Sequence, residues 1–464
     1  MKTRKYDLIV VGGGAGGTAT ALRAAQLGGK VALIEKNHLG GFCMNRGCIP
    51  FSHMAIASDY LHKISTLARE MGIEAGSPKL NLSVLNRRQD ELIKGMREGI
   101  RGLLTKSSVN LISGDAQFVE PHTVIVAGQE FTAENIVIAT GSKWASPRFE
   151  GRFRDRVFDG DYVLSLRKVS ETLLIYSDNP FSLQAAQFLA RNGATVYLVT
   201  TKKRLLYWES KTISSRITKI LREQGIHVLT GTSVASCANK RNGLEVTVVS
   251  NGKEKAIVVD KLIYMKKVAD FEELGLDRIG LQADDYLEVN ERMETSVRGV
   301  YAVGDVAAPE QLHYSHLASA GGLVAAQNCM GRTSYLDHRS LPRILYTTPQ
   351  IACMGLSPKD AKARGYKILT GMAPLNMNPF GMIMFQVYGL IELIADKDYG
   401  EILGINMIGD EVCEMAGEAV LAIQLEATVD DLASALFPHP TLSESLSEAA
   451  RDCLGATLYI PQSG

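Results

Sequence analysis

Residues 7–36 read DLIVVGGGAGGTATALRAAQLGGKVALIEK, and this stretch decides the fold that the sequence predicts. An apolar strand runs into a glycine-rich turn, a helical stretch follows, and a second apolar strand ends at Glu35. Strand, helix and strand in this order predict a β-α-β unit, and therefore a parallel sheet.

The turn of this unit has the spacing G-x-G-x-x-G at Gly12, Gly14 and Gly17. In such a turn the first glycine permits a tight bend, the second lets the backbone approach a diphosphate, and the third lets helix and strand pack closely. Glu35 stands 23 residues after Gly12, where a carboxylate binds ribose hydroxyls. The pattern predicts a dinucleotide site with its diphosphate at the helix N-terminus, and a merely tight β-α turn is the alternative.

Length and composition limit the remaining possibilities. The 464 residues correspond to about three domains, and the 50 Lys and Arg residues balance the 50 Asp and Glu residues. We expect no nucleic-acid partner, because no net field attracts a phosphate backbone. The seven cysteines are too sparse for a disulfide scaffold, and their odd number favours a reducing, cytoplasmic setting. The N-terminal glycines argue against a secretory signal, and no apolar run reaches the roughly 20 residues of a membrane span.

A second unit of the same plan lies roughly 165 residues further along the chain. It comprises the strand TLLIYSDN from Thr172, the helical stretch SLQAAQFLARNG and the strand ATVYLVT. A long amphipathic stretch with helical spacing separates the two units from about Met54 to Thr105, and strands alternate with helices from Leu341 onwards. We expect an α/β fold with two Rossmann-like dinucleotide-binding domains and an α+β C-terminal domain. The expected domains are 1–148 with 269–340, then 149–268, then 341–464.

Two cysteines directly follow the first unit, in GGFCMNRGCIP at Cys43 and Cys48. Zinc sites prefer C-x-x-C with further ligands nearby, so we predict no metal site. The pair resembles the redox-active disulfide of the flavin-dependent disulfide oxidoreductases, the family of dihydrolipoamide dehydrogenase and glutathione reductase. The resemblance implies bound FAD, with Cys43 facing the substrate and Cys48 facing the flavin. We expect a helix start to lower the pKa of the Cys48 thiol, and two unrelated buried cysteines are the alternative.

Other segments resemble the same family along nearly the whole chain. The loop that closes over the FAD dinucleotide matches IVIATGS at Ala139, Thr140 and Gly141. The segment whose aspartate holds the ribityl chain of FAD matches YAVGDV at Gly304 and Asp305. His316 corresponds to a family histidine near the flavin, and a surface histidine is the alternative. TPQIACMG from Thr348 resembles the start of the family's dimerisation domain.

Near the C-terminus, FPHPTLSE contains His439 and Glu444 and resembles the H-P-T-x-x-E of dihydrolipoamide dehydrogenase. A thiol substrate must lose a proton before its sulfur attacks, and histidine is the natural base near pH 7. Glu444 would orient the ring and stabilise the imidazolium. In the family these residues reach the cysteines of the other subunit, so the resemblance implies a homodimer. A helix-capping role for the pair is the alternative.

The second unit departs from the family at the turn that should bind NAD(P). Its turn reads SDNPFS, so the three glycine positions hold Ser177, Asn179 and Ser182. Asp178 adds negative charge beside the diphosphate path, and Thr200 stands where NAD-binding members have an acid. The basic run at residues 201–204 suggests a 2′-phosphate and NADP, but without the glycines a solvated edge is the better interpretation.

Two more positions that serve the nicotinamide in the family are altered. The family's Gly-Arg-x-Pro-Asn is replaced at Lys266, Lys267, Ala269 and Asp270. A family Lys–Glu ion pair is absent, because the sequence has Phe51 and Ser52 after the second cysteine and Gln184 in the second helix. Together these changes predict that NAD(P) binding is lost or weakened. The aromatic residues available to fill the emptied groove, or to pack in the core, are Tyr176, Phe181, Tyr207 and Trp208.

We therefore expect an FAD-dependent dithiol/disulfide oxidoreductase of dihydrolipoamide dehydrogenase type that does not use NAD(P)H in the usual way. Its substrate would be a lipoyl group or similar dithiol, and its second electron partner a quinone, a protein thiol or another carrier. The alternatives are an ordinary NAD-dependent dihydrolipoamide dehydrogenase with a divergent loop, and a flavin-bound redox sensor or assembly subunit. For the methionines of LNMNPFGMIMF we expect core filling rather than a docking patch, at Met377, Met382 and Met384.

Overall fold

The computed structural model describes residues 4–147, 149–151, 153 and 155–461. The expected boundary at residue 148 and both termini, 1–3 and 462–464, lie outside these residues. The other domain limits stay a proposal, which the sheet organisation supports.

The first β-α-β unit forms as the sequence predicts, and its strands lie in the seven-stranded sheet, the largest sheet among the described residues. The elements of this part of the chain are β1 (Arg4–Val11), α1 (Ala15–Gln26), β2 (Val31–Glu35), α2 (Gly41–Arg46), α3 (Cys48–Thr66), α4 (Leu82–Lys106), β3 (Asn110–Ser113), β4 (Ala116–Glu120), β5 (Thr123–Val126), β6 (Gln129–Ile138) and β7 (Ser142–Trp144). The sheet order is β3-β2-β1-β6-β5-β4, with β1 parallel to both neighbours. Both faces of β1 are covered, which explains why its apolar run is continuous rather than alternating.

The amphipathic stretch from Met54 to Thr105 forms two helices, α3 and α4, instead of one. The intervening segment contains Gly72, Gly76 and Pro78, which disfavour a helix interior. Asn81 then caps the second helix, because its side-chain oxygen accepts a hydrogen bond from the Val84 N–H at 3.2 Å.

The second unit also forms a parallel sheet. Its elements are β8 (Val157–Phe158), α5 (Asp161–Leu164), β9 (Thr172–Tyr176), α6 (Phe181–Arg191), β10 (Thr195–Val199), α7 (Lys211–Glu223), β11 (His227–Leu229), β12 (Thr232–Lys240), β13 (Gly243–Ser250), β14 (Lys253–Val259), β15 (Lys261–Tyr264) and β16 (Lys267–Ala269). The parallel sheet has the order β11-β10-β9-β15-β8, and β12-β13-β14 form an antiparallel sheet against it. The short β16 pairs antiparallel with β7 and so links the two units.

The chain then returns to the first sheet. Strand β17 (Val300–Ala302) pairs with β6, and helix α8 (Ser315–Cys329) packs against α1. The two helices can approach closely because Gly322 has no side chain. A Cβ at this position would lie only 2.4 Å from the Gly16 carbonyl oxygen. This contact fixes the N-terminus of α8 beside the glycine turn of the first unit.

The C-terminal region is an antiparallel sheet covered by helices, as the α+β expectation states. Its elements are β18 (Arg343–Leu345), β19 (Gln350–Gly355), α9 (Pro358–Ala363), β20 (Ile368–Pro374), α10 (Pro379–Ile383), β21 (Leu390–Asp396), β22 (Ile402–Gly409), α11 (Val412–Gln424), α12 (Val429–Ser434) and α13 (Glu444–Cys453). The strand order is β18-β19-β22-β21-β20. Within the part of the chain that the structure describes, no helix combines the length and apolar character needed to cross a bilayer.

Candidate active site

The glycine turn after β1 leaves no room for side chains at two of its three glycines. Gly12 has a φ of +108°, and a Cβ there would lie 2.3 Å from the Ala139 carbonyl oxygen. A Cβ at Gly17 would lie 1.9 Å from the Gly12 carbonyl oxygen. Gly14, in contrast, only approaches the Cα of Gly41, with 3.6 Å to a built Cβ. The first and third glycines are therefore needed for packing, while the second opens the turn toward a ligand.

A cavity of about 480 Å³ lies in front of this turn. Its walls include nearly all residues that the sequence analysis selected, namely Gly12, Gly14, Glu35, Cys43, Cys48, Ala139, Thr140, Gly141, Gly304 and Asp305. Gly17 is absent from the wall because it packs beneath the turn. The volume lies within the roughly 300–1,000 Å³ that is usual for small-molecule and cofactor sites.

The residues of this cavity fit a flavin dinucleotide. The free N–H groups at the start of α1 face it, and this is where a diphosphate binds. Glu35 is oriented there by the N–H groups of Gly13 and Asn37, which donate to its two carboxylate oxygens at 2.7 Å each. The buried hydroxyl of Thr140 in the wall has no hydrogen-bond partner among the described residues, so it is available to a ligand.

The two cysteines lie at the inner end of the cavity, where two helices begin. Cys43 belongs to α2, Cys48 is the first residue of α3, and the Cys48 Sγ lies 3.7 Å from the Ser315 Oγ at the start of α8. A hydrogen bond from Cys48 lowers the pKa of Cys43 to about 7, against the effect of burial. The same hydrogen bond and burial raise the pKa of Cys48. The expectation that the helix start lowers the Cys48 pKa is therefore wrong for this thiol pair, since burial and the neighbouring thiol outweigh the helix.

A buried charge cluster adjoins the cysteines around Asp305. Lys267 Nζ lies 2.6 Å from the Asp305 Oδ2, and the Ser142 hydroxyl donates to the same oxygen at 2.6 Å. The His313 Nδ1 is 3.8 Å from it. Burial raises the pKa of Asp305, but the charges of Lys267 and His313 and the hydrogen bonds lower it to about 2.

The neighbours of Asp305 were not among the predicted site residues. The sequence marks Lys267 only as a departure from a family motif, and it gives no signal for His313 or Ser315. His316 does not line the cavity and is exposed, which agrees with the surface alternative. His313, three residues earlier, lines the cavity instead.

His439 and Glu444 form the predicted pair but lie away from the cysteines. The His439 Nδ1 is 3.0 Å from the Glu444 Oε1, and the Thr441 N–H donates to the Glu444 Oε2 at 2.9 Å. The pair lines a second cavity of about 290 Å³ that shares no lining residue with the first, and the His439 side chain is 67% exposed. Glu444 is the first residue of α13, but the N-cap is Ser443 and no side-chain capping hydrogen bond forms there, so the structure agrees with the pairing rather than the capping interpretation.

The turn of the second unit satisfies its own hydrogen-bonding groups. The Asn179 Oδ1 accepts from the Phe181 N–H at 3.1 Å, at the start of α6, and the Ser182 hydroxyl donates to the Asn179 carbonyl at 2.6 Å. The Ser177 hydroxyl donates to the Met265 carbonyl at 2.7 Å. The Asp178 carboxylate accepts hydrogen bonds from Thr200 and from the Thr201 N–H and hydroxyl.

Aromatic residues replace the absent ion pair between the two units. Phe51 stacks on Phe181 with ring centroids 5.1 Å apart and an interplanar angle of 10°. Gln184 is buried nearby in α6, and its Nε2 has no partner among the described residues. Of the other aromatic candidates, Tyr176 and Trp208 pack against hydrophobic clusters, which agrees with the core interpretation.

The basic run at residues 201–204 and Asp270, which follows β16, make contacts with neighbouring residues. Lys202 lies over the Tyr207 ring at 4.7 Å, and the Arg204 guanidinium donates to the Tyr207 carbonyl at 2.6 Å. Asp270 accepts ion pairs from Lys36 and Lys143, each at 3.1 Å. These contacts leave the run as a partly solvated edge.

The expectation of core filling is wrong for two of the three methionines. Met382 is 58% exposed, and Met377 is also exposed. Helix α10 has only five residues, and Gly381 is its only buried one, packed against the Leu375 carbonyl, so neighbouring side chains such as Met382 remain exposed. Met377 lines the second cavity together with His439.

The site chemistry is that of a dithiol pair beside a dinucleotide cavity. Among the described residues, no group of three or more His, Cys, Asp or Glu side chains is arranged to hold a metal ion. Comparison with known families matches residues 6–324 to the pyridine nucleotide-disulphide oxidoreductases and residues 341–450 to the dimerisation domain of that family.

Comparison with individual proteins gives relatives over the full chain. The chain is 36% identical to the dihydrolipoyl dehydrogenase of Thermus scotoductus over 456 residues, which is 97% of each chain. It is 31% identical to the dihydrolipoyl dehydrogenase of Geobacillus stearothermophilus, over 98% of this chain and 97% of that one. The structure of the HOCl-induced flavoprotein disulfide reductase RclA from Escherichia coli has the same fold, with a TM-score of 0.83 and 23% identity over 96% of this chain and 99% of that one.

Proposed function

This chain belongs to the pyridine nucleotide-disulphide oxidoreductase family, and from that premise we propose a dithiol/disulfide oxidoreductase with FAD that has lost conventional NAD(P)H use. Membership of this family makes the chain an enzyme of the flavoprotein disulfide oxidoreductase class. The observation that carries the proposal is the shared cavity of the glycine turn, Thr140, Asp305 and the two cysteines. A lipoyl group or similar dithiol is the proposed substrate, in line with the relatives.

The cofactor site follows from the cavity residues. Gly12, Gly14 and the start of α1 would hold the diphosphate of FAD, Glu35 its ribose and Asp305 its ribityl chain. FAD, when bound, supplies a two-electron acceptor next to the dithiol pair. The chain's own part is to position the two sulfurs and to handle protons.

The base that we propose for the thiol chemistry is His439, which lines the second cavity. A substrate thiol loses its proton to His439, and its thiolate attacks the Cys43 sulfur of the Cys43–Cys48 disulfide, which releases Cys48 as a thiolate. The second substrate thiol then attacks the first substrate sulfur in the mixed disulfide and breaks its bond to Cys43. Its proton passes to the released Cys43 sulfur, and the substrate leaves as a disulfide. Two electrons now reside on the cysteine pair.

The exposed His439–Glu444 pair supports a homodimer as the working unit. Within one protomer the pair lines a cavity that is separate from the cysteines, so a second copy is needed to bring base and thiol together. The dimerisation domain that residues 341–450 match supports this arrangement.

The altered turn of the second unit supports the loss of NAD(P)H use. A nicotinamide dinucleotide needs free N–H groups at the start of α6, but the Asn179 side chain already accepts from the Phe181 N–H. The Asp178 carboxylate already accepts a hydrogen bond from the Thr201 N–H, just after β10. Its negative charge would also repel a diphosphate. The Phe51–Phe181 stack lies at the contact between α3 and α6, where the family's Lys–Glu ion pair beside the nicotinamide is absent.

The proposal is tested by adding NADH, NADPH and dihydrolipoamide separately and anaerobically to the FAD-loaded protein. We expect dihydrolipoamide alone to bleach the flavin absorbance rapidly. Rapid bleaching by NADH would indicate an ordinary NAD-dependent dihydrolipoamide dehydrogenase with a divergent loop. Slow bleaching by all three reductants would indicate a redox sensor or assembly subunit.

A matched variant controls for reduction that bypasses the cysteines. In Cys43→Ser, dithionite should still bleach the flavin, because it reduces FAD directly, whereas dihydrolipoamide should not. Bleaching of this variant by dihydrolipoamide at the wild-type rate would contradict the cysteine route.

A further inference from the structure

Lys267 is a buried cation in the wall of the redox cavity. It begins the short strand β16, and its ammonium lies 2.6 Å from the Asp305 Oδ2 and 4.5 Å from the centre of the Phe42 ring. Its side chain is only 4% exposed. Three other ion-paired cations line the same cavity but are 34–38% exposed, namely Lys36, Arg46 and Lys143. Solvent screens those three charges, whereas the field of Lys267 acts through the protein.

The contacts of Lys267 place its charge in the cavity that both thiols line, next to the segment that carries Cys43. Phe42, over whose ring the ammonium lies, directly precedes Cys43 in α2. Asp305 anchors the ammonium from the segment after β17, so the cation has a fixed position between these elements. Lys267 and both cysteines line one cavity.

We propose that Lys267 is a positioning residue that stabilises the thiolate form of the reduced Cys43/Cys48 pair, with Asp305 holding its ammonium in place. A reduced dithiol that reacts at neutral pH must carry a negative charge. A buried cation lowers the free energy of that charge, and it does so with or without a nicotinamide nucleotide. The inference rests on the proposed redox role of the two cysteines.

The charged and polar groups around the two thiols come from four segments. They are Lys267 on β16, Asp305 after β17, His313 and Tyr314 before α8, and Ser315 at its start. The hydrogen bond from Cys48 dominates the pKa of Cys43; among the charges, Asp305 raises this pKa and Lys267 lowers it. For Cys48, the hydrogen bond to Cys43 and burial raise the pKa, and Ser315 and Lys267 oppose them.

The test is the pH profile of alkylation in the reduced, FAD-loaded protein. Iodoacetamide reacts with the thiolate, and mass spectrometry of the Cys43 peptide gives the rate at each pH. We expect Lys267→Gln to move the profile about 1 pH unit higher, which makes alkylation about tenfold slower below the midpoint. Lys267→Arg should retain the wild-type profile because it keeps the charge. An unshifted profile in folded Lys267→Gln that retains FAD would overturn the proposal.

Lys143→Gln is the matched control, since Lys143 lies on the neighbouring strand β7 but is screened by solvent. Its profile should match the wild type, and a shift equal to that of Lys267→Gln would overturn the specific role of Lys267. If Lys267→Gln does not fold, Lys267→Met replaces it, because methionine keeps a long unbranched side chain without the charge. Its profile should move to higher pH in the same way, and an unshifted profile in folded, FAD-loaded Lys267→Met would overturn the proposal. Alkylation does not require flavin reduction, so this result is independent of the outcome of the dihydrolipoamide experiment.

Discussion

Cys43 and Cys48 differ in acidity although they are only five residues apart. The Cys43 thiolate accepts a hydrogen bond from Cys48, which lowers its pKa to about 7, while Cys48 is the more deeply buried donor and has a raised pKa. Cys43 is therefore the sulfur that ionises near neutral pH. The assignment of Cys43 as the interchange thiol stays a proposal that this difference supports.

Replacing Cys48 tests the hydrogen bond at this residue. In the reduced protein, Cys43 alkylation should follow a midpoint of about pH 7, because the thiolate forms as pH rises through its pKa. In Cys48→Ala the donor is lost and burial remains, so the midpoint should rise to its ordinary 9.0 or above. The measurement is the iodoacetamide rate from pH 5 to 10.

Cys48→Ser is the control for that experiment, because serine keeps a donor of similar size. Its midpoint should stay below that of Cys48→Ala. Equal midpoints in the two variants would show that the hydrogen bond does not set the acidity of Cys43.

At the scale of elements, helices α3 and α6 pack through an apolar contact. Phe51 in α3 is 1% exposed and stacks on Phe181, the first residue of α6. Helix α3 follows the first β-α-β unit and α6 belongs to the second, so the stack joins these two parts of the chain without buried charges. An apolar pair of this kind avoids the desolvation cost of an ion pair, and breaking it leaves a cavity rather than an orphaned charge.

Phe51→Ala should therefore lower the free energy of unfolding by about 3–5 kcal/mol. Urea denaturation followed by circular dichroism measures this loss. Tyr60→Ala is the control on the same helix, since Tyr60 is 64% exposed and its removal should change stability by less than about 0.5 kcal/mol. A loss in Phe51→Ala no larger than in Tyr60→Ala would contradict a packing role for the stack.

At the scale of the whole molecule, one protomer holds the thiols and the base in separate cavities. His439 is exposed, and the nearby Met377 and Met382 are exposed as well. An exposed apolar group beside an exposed acid–base pair is typical of a surface that another chain covers. These features support the proposed homodimer, in which each active site combines two copies.

Mixed dimers test this arrangement. Cys43→Ser and His439→Gln homodimers should each lose rapid bleaching by dihydrolipoamide, with the histidine variant slowed about 10²–10⁴-fold. A mixed dimer of the two has one site with wild-type cysteines and the wild-type partner histidine, so about half of its flavins should bleach rapidly. Mixed dimers without any rapid phase would show that each protomer uses its own histidine.

The amino-acid sequence alone predicts the two parallel β-α-β units, the tight glycine turn and the pairing of His439 with Glu444. These features depend on periodicity and on short spacings, which are visible in one stretch of chain. The same local information does not show the break between α3 and α4, because Met54 to Thr105 keeps helical spacing across a segment that does not form a helix.

Only the tertiary structure decided which groups surround the thiols. Lys267 and Asp305 are 38 residues apart, and Cys48 and Ser315 are 267 residues apart, so no local pattern pairs them. The acidity order of the cysteines and the outward orientation of Met382 likewise depend on burial, which sequence spacing does not report. Local patterns specify elements, whereas the electrostatics of a site depend on distances that exist only after those elements have packed.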